Sequence, residues 1–138
     1  MSPELAVQTA LRLRLVASEG VTDLVHVTSI VDSNARPVVD PCILIGEDIS
    51  RDDGRLSRSV VRVWSTIHIF RKEAGTAGVK AIASAIRDAI HSERLAPLNG
   101  WHFADSYVES ARFVRDPDNL TAHGIVVVET VAADQEST

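Results

Sequence analysis

The sequence predicts an α+β fold in which helices pack on one face of a four-stranded, mostly antiparallel (mixed) sheet. The length of 138 residues fits one domain that buries a single two-layer core. Apolar residues recur at helical spacing in two segments and alternate along a third, residues 57–71. The resulting order is helix, connector, two strands, helix and two strands, which a two-layer arrangement satisfies. We therefore expect residues 1–138 to form a single domain.

The first helix is predicted to begin after Ser2 and to extend to about Ala17. Ser2 is a good N-cap, and Pro3 suits the first helical position because its missing N–H is not needed there. Gly20 is the predicted end of the helix. The apolar face of this helix is expected to consist of Leu5, Leu11, Leu15 and Val16.

The middle of the chain is predicted to hold two strands separated by a loop. Residues 21–31, which precede them, fit either a short helix or a first strand. Residues 42–46 form a short apolar strand candidate, whereas residues 47–55 are polar and are expected to form a loop. Residues 57–71 alternate between an aliphatic and a mixed face. The aliphatic face is expected to consist of Val61, Val63, Ile67 and Ile69.

The second half of the chain is predicted to contain a helix followed by a β-hairpin. Valine and isoleucine recur at helical spacing across residues 79–90, which predicts a helix with Thr76 as its N-cap. Residues 101–115 and 120–131 are strand candidates joined by a turn, and strands so closely joined pair antiparallel. Residues 132–138 are expected to form a flexible tail.

Composition and charge exclude several classes of function. The formal net charge of −5 argues against a dedicated nucleic-acid binder, which normally carries a basic excess. No apolar run approaches the roughly 20 residues that a membrane-spanning helix needs. The first residues lack the pattern of a secretion signal, so we expect the chain to stay in the cytoplasm. The single cysteine, Cys42, lies among apolar residues, which favours burial over reactivity.

No pattern in the sequence indicates a catalytic, cofactor-binding or metal site. None of the five histidines forms a helical pair of metal ligands. His68 and His102 lie on predicted strands, where they could meet across the sheet as partly buried, hydrogen-bonded residues. The acidic residues between 48 and 53 lack the spacing of a calcium loop, and those of the turn at 116–119 are expected to cap their own backbone. We therefore predict that the protein is not an enzyme and uses no cofactor or metal.

Several segments resemble the tail-completion (tail terminator) proteins of gene transfer agents and long-tailed (siphovirus-like) phages. Residues 2–11 (SPELAVQTAL) look like the first helix of that family, and residues 41–48 (PCILIGED) like its short strand ending in Gly-Glu-Asp. The most specific match is 109–118 (ESARFVRDPD), continued by 120–124 (LTAHG). Asn119 stands where glycine is common in that turn, which is a mild change because asparagine tolerates left-handed backbone.

The resemblance implies a structural protein of a phage-like particle. Such proteins form a ring, typically a hexamer, that caps the head-proximal end of the tail tube, stops its polymerisation and docks the tail to the head connector. The implied partners are further copies of the chain, the tail tube protein and a head–tail connector or stopper protein, without a membrane. The implied location is the bacterial host cytoplasm during assembly and then the particle. Six copies would carry about −30 in charge, six times −5, so we expect DNA to pass through the ring without specific binding.

Two polar excursions, residues 47–58 and 116–124, are expected to be assembly surfaces. A ring of identical chains closes through head-to-tail contacts between two different surfaces, so charged pairs can form between them. The side chains predicted to form these inter-subunit pairs are Asp52, Arg55, Arg58, Arg112, Arg115 and Asp116.

Three other functions fit the sequence. A head–tail stopper or connector-completion protein would share the small size and the ring symmetry. An enzyme could compose its site between chains from His68, His102 or His123. A small ligand-binding α+β domain would be a dimer. Copurification with tail tube or with portal components distinguishes the first alternative. A stoichiometric bound metal would indicate the enzyme, and light scattering would reveal the dimer.

Overall fold

Helices form one layer of the fold and a sheet forms the other, as seen in a computed structural model that describes residues 1–32, 39–53 and 59–134. In chain order the helices are α1 (Pro3–Ala17), α2 (Glu19–Thr22) and α3 (Ala77–His91), with a short 3₁₀ turn at Val27–Ser29. Both long helices bury one side against the sheet, and no helix formed by the described residues packs on the opposite face of the sheet.

Over the described ranges of the chain, the sheet has five strands in the order β1-β2-β3-β5-β4. The first strand pairs parallel with β2, and all other neighbours are antiparallel. This confirms the predicted α+β fold with a mixed sheet, although the sheet has one strand more than expected. The added strand is only two residues long, which is too short for a periodic pattern to reveal. The strands are β1 (Ile30–Val31), β2 (Cys42–Asp52), β3 (Val60–Lys72), β4 (Trp101–Arg115) and β5 (Thr121–Asp134).

The first helix begins and ends where it was predicted to, but Gly20 is not the residue that terminates it. The Ser2 hydroxyl accepts a hydrogen bond from the Leu5 N–H at 3.2 Å, as an N-cap does. The helix ends at Ala17 because Ser18 adopts extended backbone, and Gly20 lies inside α2. Leu5 is 47% exposed and is therefore not part of the buried face. That face consists of Ala6, Val7, Ala10, Leu11 and Leu15.

The second strand is longer than predicted, and the expectation of a loop from residue 47 is wrong up to Asp52. The register to β3 shifts between Ile45 and Asp48, and this bulge allows the strand to continue to Asp52 opposite Val61. The segment reads as a loop because its side chains are exposed and polar, which removes the alternation that marks a half-buried strand. Residues 54–58 of the predicted excursion lie outside the described residues.

The core lies between the helices and the aliphatic side of β3, which alternates as predicted along Val60–Lys72. The spacing of 3 and 4 in α3 places its apolar side chains on this core. The largest fully buried side chains are Phe103, Leu11, Leu15, Ile30, Ile43, Ile67, Ile69, Ile82, Ile86 and Ile90.

Two polar side chains fix the ends of α3. At the first turn, the Glu73 carboxylate accepts hydrogen bonds from the N–H groups of Gly78 and Val79, at 2.9 and 3.1 Å. Thr76 is the N-cap residue by position, as predicted, but its side chain makes no capping bond. At the other end, the Arg14 guanidinium of α1 donates to the backbone carbonyls of residues 89, 93 and 94. Arg14 thereby ties α1 to the last turn of α3 and to the segment that follows this helix.

The β4–β5 hairpin agrees with prediction in its strands and turn. Asp118 caps its own turn, because its Oδ1 accepts from the N–H groups of Leu120 and Thr121 at 2.8 and 3.0 Å. Asn119 has a φ of 58°, the left-handed backbone that asparagine tolerates. The expected flexible tail is wrong for residues 132–134, which belong to β5, and residues 135–138 lie outside the described residues.

Candidate assembly surface

The sheet face opposite the helices, here called the uncovered face, has no helix packed on it among the described residues. It is formed by the outward side chains of β2 to β5, and its residues on β3 and β5 are mostly half-buried. Ile49 is 71% exposed beside Trp64, its partner across the β2–β3 pair. The Arg51 guanidinium lies 5.5 Å from the centre of the Trp64 ring, within range of a cation–π contact. Apolar and charged side chains are thus mixed on this face, as on many protein interfaces.

A buried carboxylate ties three strands together on the uncovered face. Glu129 of β5 is only 6% exposed. Its Oε1 accepts from Arg62 of β3 at 3.0 Å, and its Oε2 accepts from the Tyr107 hydroxyl of β4. The same guanidinium reaches Asp53 at 2.7 Å. These bonds link β3, β4 and β5 to one another and to the residue that follows β2.

A row of four side chains crosses the other end of the same face. The Nε2 of His68 lies 2.8 Å from Oε1 of Glu47, and the Nδ1 of His68 lies 2.8 Å from Nε2 of His123. The remaining nitrogen of His123, Nδ1, is 3.6 Å from Oδ1 of Asp116, which is longer than a hydrogen bond. We call Glu47, His68, His123 and Asp116 the histidine row.

The histidine row is packed as well as hydrogen-bonded. The His123 ring stacks on Phe70 with centroids 4.3 Å apart. Gly46 leaves space for the neighbouring ring, because a Cβ there would lie 3.0 Å from Cδ2 of His68. Burial, and next the charge of His68, lower the pKa of His123. The hydrogen bond from His68 lowers the pKa of Glu47.

A groove of about 510 Å³ opens beside the histidine row. Its walls combine carboxylates, imidazoles and apolar side chains, which gives it both polar and apolar character. Residues that line it include Asp32, Leu44, Glu47, His68, Phe70 and His123.

The predicted assembly residues lie in different settings. Asp52 and Arg112 are exposed, at opposite sides of the sheet. Arg115 is used within the chain, because its guanidinium donates to the carbonyls of residues 73, 74, 75 and 119. Asp116 belongs to the histidine row. Arg55 and Arg58 lie outside the described residues, and inter-subunit pairing of all six residues stays a prediction.

The expected meeting of His68 and His102 is wrong. Strand β5 lies between β3 and β4, so His68 contacts His123 of β5 instead. His102 is opposite Ala133, near the other end of the sheet. The sequence placed all three histidines on strands, but only the order of the strands decides which of them meet.

Neither metal ligation nor a reactive thiol is indicated where the structure is described. Among those residues, no group of three or more histidine, cysteine or acidic side chains could hold a metal ion. Cys42 is half-buried, and burial raises the pKa of its thiol, which favours the unreactive protonated form. None of the described helices is long and apolar enough to cross a membrane.

The two sides of the sheet present unlike open edges. Strand β1 covers β2 only at Ile43 and Leu44, and β4 ends the sheet on the other side. The first half of the β4 edge is obstructed: the strand is bulged, and the Val108 N–H donates to Nε2 of His91 at 3.0 Å. Bulges and side chains of this kind limit uncontrolled strand pairing.

Comparisons with known proteins agree with this architecture. The family described as "Tail completion protein gp17" matches residues 9–133. A chain in the virion of a native gene transfer agent particle has 20% identity and a TM-score of 0.85, with 96% of this chain and 99% of that chain covered. The bacteriophage SPP1 gp17 protein has 21% identity and a TM-score of 0.62, with 92% and 88% covered. No curated protein matches significantly.

Proposed function

The chain belongs to the tail completion protein gp17 family, and we propose on this ground that it is a tail terminator. In this proposal, copies of the chain close into a ring, a hexamer, at the head-proximal end of a tail tube. The ring stops polymerisation of the tube and presents a docking surface to the head–tail connector. The family match over residues 9–133 is the observation that carries the proposal. The similarity in fold to a chain of a gene transfer agent particle supports it over nearly the full length.

The shape of the sheet also supports a ring. Its two open edges differ, since one is the exposed, largely acidic end of β2 and the other is the bulged strand β4. Two unlike surfaces favour heterologous contacts, which form a closed ring when the rotation between copies closes. A dimer with two-fold symmetry would instead need one surface that is complementary to itself.

Electron microscopy of the purified chain, alone and with tail tubes of its own particle, tests the proposal. We expect a ring at one end of each tube and tubes that no longer elongate when more tube protein is added. Rings that bind connector complexes and leave tube elongation unchanged would contradict a terminator and indicate a stopper. A dimer whose formation depends on a small ligand would contradict the ring itself.

A further inference from the structure

The last part of β2 presents an open row of backbone groups at the edge of the sheet. The Asp53 N–H donates to the Val60 carbonyl at 2.7 Å, so these two residues form a hydrogen-bonded pair of the β2–β3 ladder. Because such pairs alternate along an antiparallel ladder, every second residue before Asp53 bonds to β3, and the residues between them direct their N–H and C=O groups outward. The outward residues are Asp48, Ser50 and Asp52. Among the described residues, no strand pairs with them, because β1 pairs only with the first part of β2.

The second half of β4 presents a similar row at the other edge. The Asp116 N–H donates to the Thr121 carbonyl at 2.9 Å, which fixes the same alternation on the β4–β5 ladder. The outward residues are Ala111, Phe113 and Arg115. The first half of β4 is closed to pairing by its bulges and by the bond from the Val108 N–H to His91. Each edge of the described sheet thus has one open stretch, residues 47–52 on β2 and residues 110–115 on β4.

The two open stretches match in direction and in charge. Three antiparallel pairings separate β2 from β4, so the two strands run in opposite directions. A rotation about an axis that the strands broadly follow keeps their directions, and β2 of one copy then meets β4 of the next copy antiparallel. Residues 47–52 carry three acidic side chains and one arginine, whereas residues 110–115 carry two arginines and no acidic side chain. The two stretches therefore attract each other.

We propose that copies of the chain join by strand pairing, in which the open stretch of β2 in one copy adds to the open stretch of β4 in the next. The inference rests on the proposed function, and it specifies the contact that the ring uses. Backbone hydrogen bonds supply the contact, as in other cases where a strand is added to a sheet edge. Closure of the ring removes both open edges, which are otherwise templates for uncontrolled pairing.

The heights of the two stretches on the sheet determine how neighbouring copies are shifted. Within one copy, Phe113 lies level with Ile43 across β5 and β3, so the open stretch of β4 is level with the covered start of β2. Pairing the two open stretches shifts neighbouring copies along the strands by about six residues, or roughly 20 Å at about 3.3 Å per residue. The four long strands are together roughly 19 Å wide at about 4.8 Å per strand. This shift and this width correspond to a strand tilt of about 45°, close to the range of about 35–45° in closed barrels.

Proline substitutions at outward positions test the strand pairing. Ser50→Pro and Ala111→Pro each remove an N–H group that makes no strand bond in the single copy, and proline is tolerated at such edge positions. We expect both variants to keep the urea midpoint of the wild type and to lose ring formation on tail tubes. Ser50→Ala, which keeps the N–H group, is the matched control and should form rings normally.

The same experiment separates the strand pairing from the terminator function. Wild-type numbers of rings in electron micrographs of folded Ser50→Pro and Ala111→Pro would overturn the strand pairing and leave the terminator proposal standing. Absence of rings in the wild type would overturn the terminator proposal, and the ring contact with it.

Amide hydrogen exchange in wild-type rings gives a second test, which needs no variant. Resolved to single residues by mass spectrometry, exchange at Asp48, Ser50 and Asp52 should be at least about tenfold slower in the ring than in the single copy. The residues between them are bonded to β3 in both states and serve as the internal control. Ala111 and Phe113 should slow together with the β2 residues. Unchanged exchange at both stretches would overturn the proposal, and slowing at β2 alone would indicate a strand of the tube protein instead of a second copy.

Discussion

At the scale of single residues, His123 makes the stability of the fold depend on pH. Burial lowers the pKa of His123, and the positive charge of His68 lowers it further. The unfolded chain, in which His123 has an ordinary pKa of about 6.5, therefore binds a proton that the folded chain does not. Stability from this residue is present above that pKa and is lost as the pH falls through the lower, folded value. Glu47, whose pKa is also lowered, acts in the same direction at more acidic pH.

We expect the urea concentration at the unfolding midpoint of the wild-type chain to decrease when the pH is lowered from about 7.5 to about 5.5. These two values lie on either side of the ordinary histidine pKa. In His123→Gln this part of the pH dependence should be reduced, because Gln does not titrate. His102→Gln is the control, since His102 lies outside the histidine row. Equal pH dependence in the wild type and in His123→Gln would contradict the role assigned to His123.

Glu129 is buried on the uncovered face and accepts hydrogen bonds from two neighbouring strands, so its removal is expected to destabilise the fold. In Glu129→Ala, the Arg62 guanidinium and the Tyr107 hydroxyl lose their shared acceptor, and we expect a loss of about 2–3 kcal/mol in the free energy of unfolding. Asp53→Asn removes the charge from the more exposed contact of Arg62 and should cost less than about 1 kcal/mol. Denaturant unfolding of both variants measures the difference. Similar losses in the two would show that the buried position of Glu129 is unimportant.

At the scale of elements, the start of α3 depends on a residue that precedes the helix by four positions. Glu73→Ala removes the acceptor for the N–H groups of Gly78 and Val79 and is expected to cost about 1 kcal/mol, as the loss of an N-cap does. Glu93→Ala, near the other end of the helix, removes only a 3.7 Å surface ion pair and should be almost neutral. Thermal unfolding of the Glu73→Ala and Glu93→Ala variants measures this difference in stability. A neutral Glu73→Ala would mean that Thr76 or water replaces the cap.

The elements that the sequence predicted well are those whose pattern is local. The helix α3 and both strands of the hairpin could be placed because periodicity and turn residues lie within each segment. The outer part of β2 and the two-residue β1 could not, because they are held by pairing with distant residues and not by their own pattern. Tertiary pairing likewise carries β5 to Asp134, beyond the predicted end.

At the scale of the whole molecule, the residues predicted to form the assembly surface differ in how free they are to contact another copy. Asp52 and Arg112 are exposed as an interface residue should be, whereas Arg115 is occupied by carbonyls of its own chain. The histidine row was missed because it is composed from β2, β3, β5 and a turn, and the order of strands was not fixed by the pattern. If the sequence had indicated that β3 pairs with β5, the contact between His68 and His123 could have been predicted.

Exposed charges at the two sides of the sheet are the best positions at which to disturb assembly without disturbing the fold. We expect Arg112→Glu and Asp52→Arg each to reduce ring formation on tail tubes while leaving the unfolding midpoint unchanged. Arg87→Glu, on the exposed side of α3, is the matched charge-reversal control. Ring counts in electron micrographs measure the effect. Normal rings in both variants would remove Asp52 and Arg112 from the interface.

The two tryptophans of the chain stand on opposite sides of the sheet. Trp101 packs against the core, and its indole N–H donates to the Met1 carbonyl at 2.9 Å, so its emission reports on the docking of the first helix. Trp64 lies on the uncovered face under Arg51, so its emission reports on what covers that face. Single-tryptophan variants, Trp101→Phe and Trp64→Phe, would therefore separate folding from association in one optical experiment on the same chain.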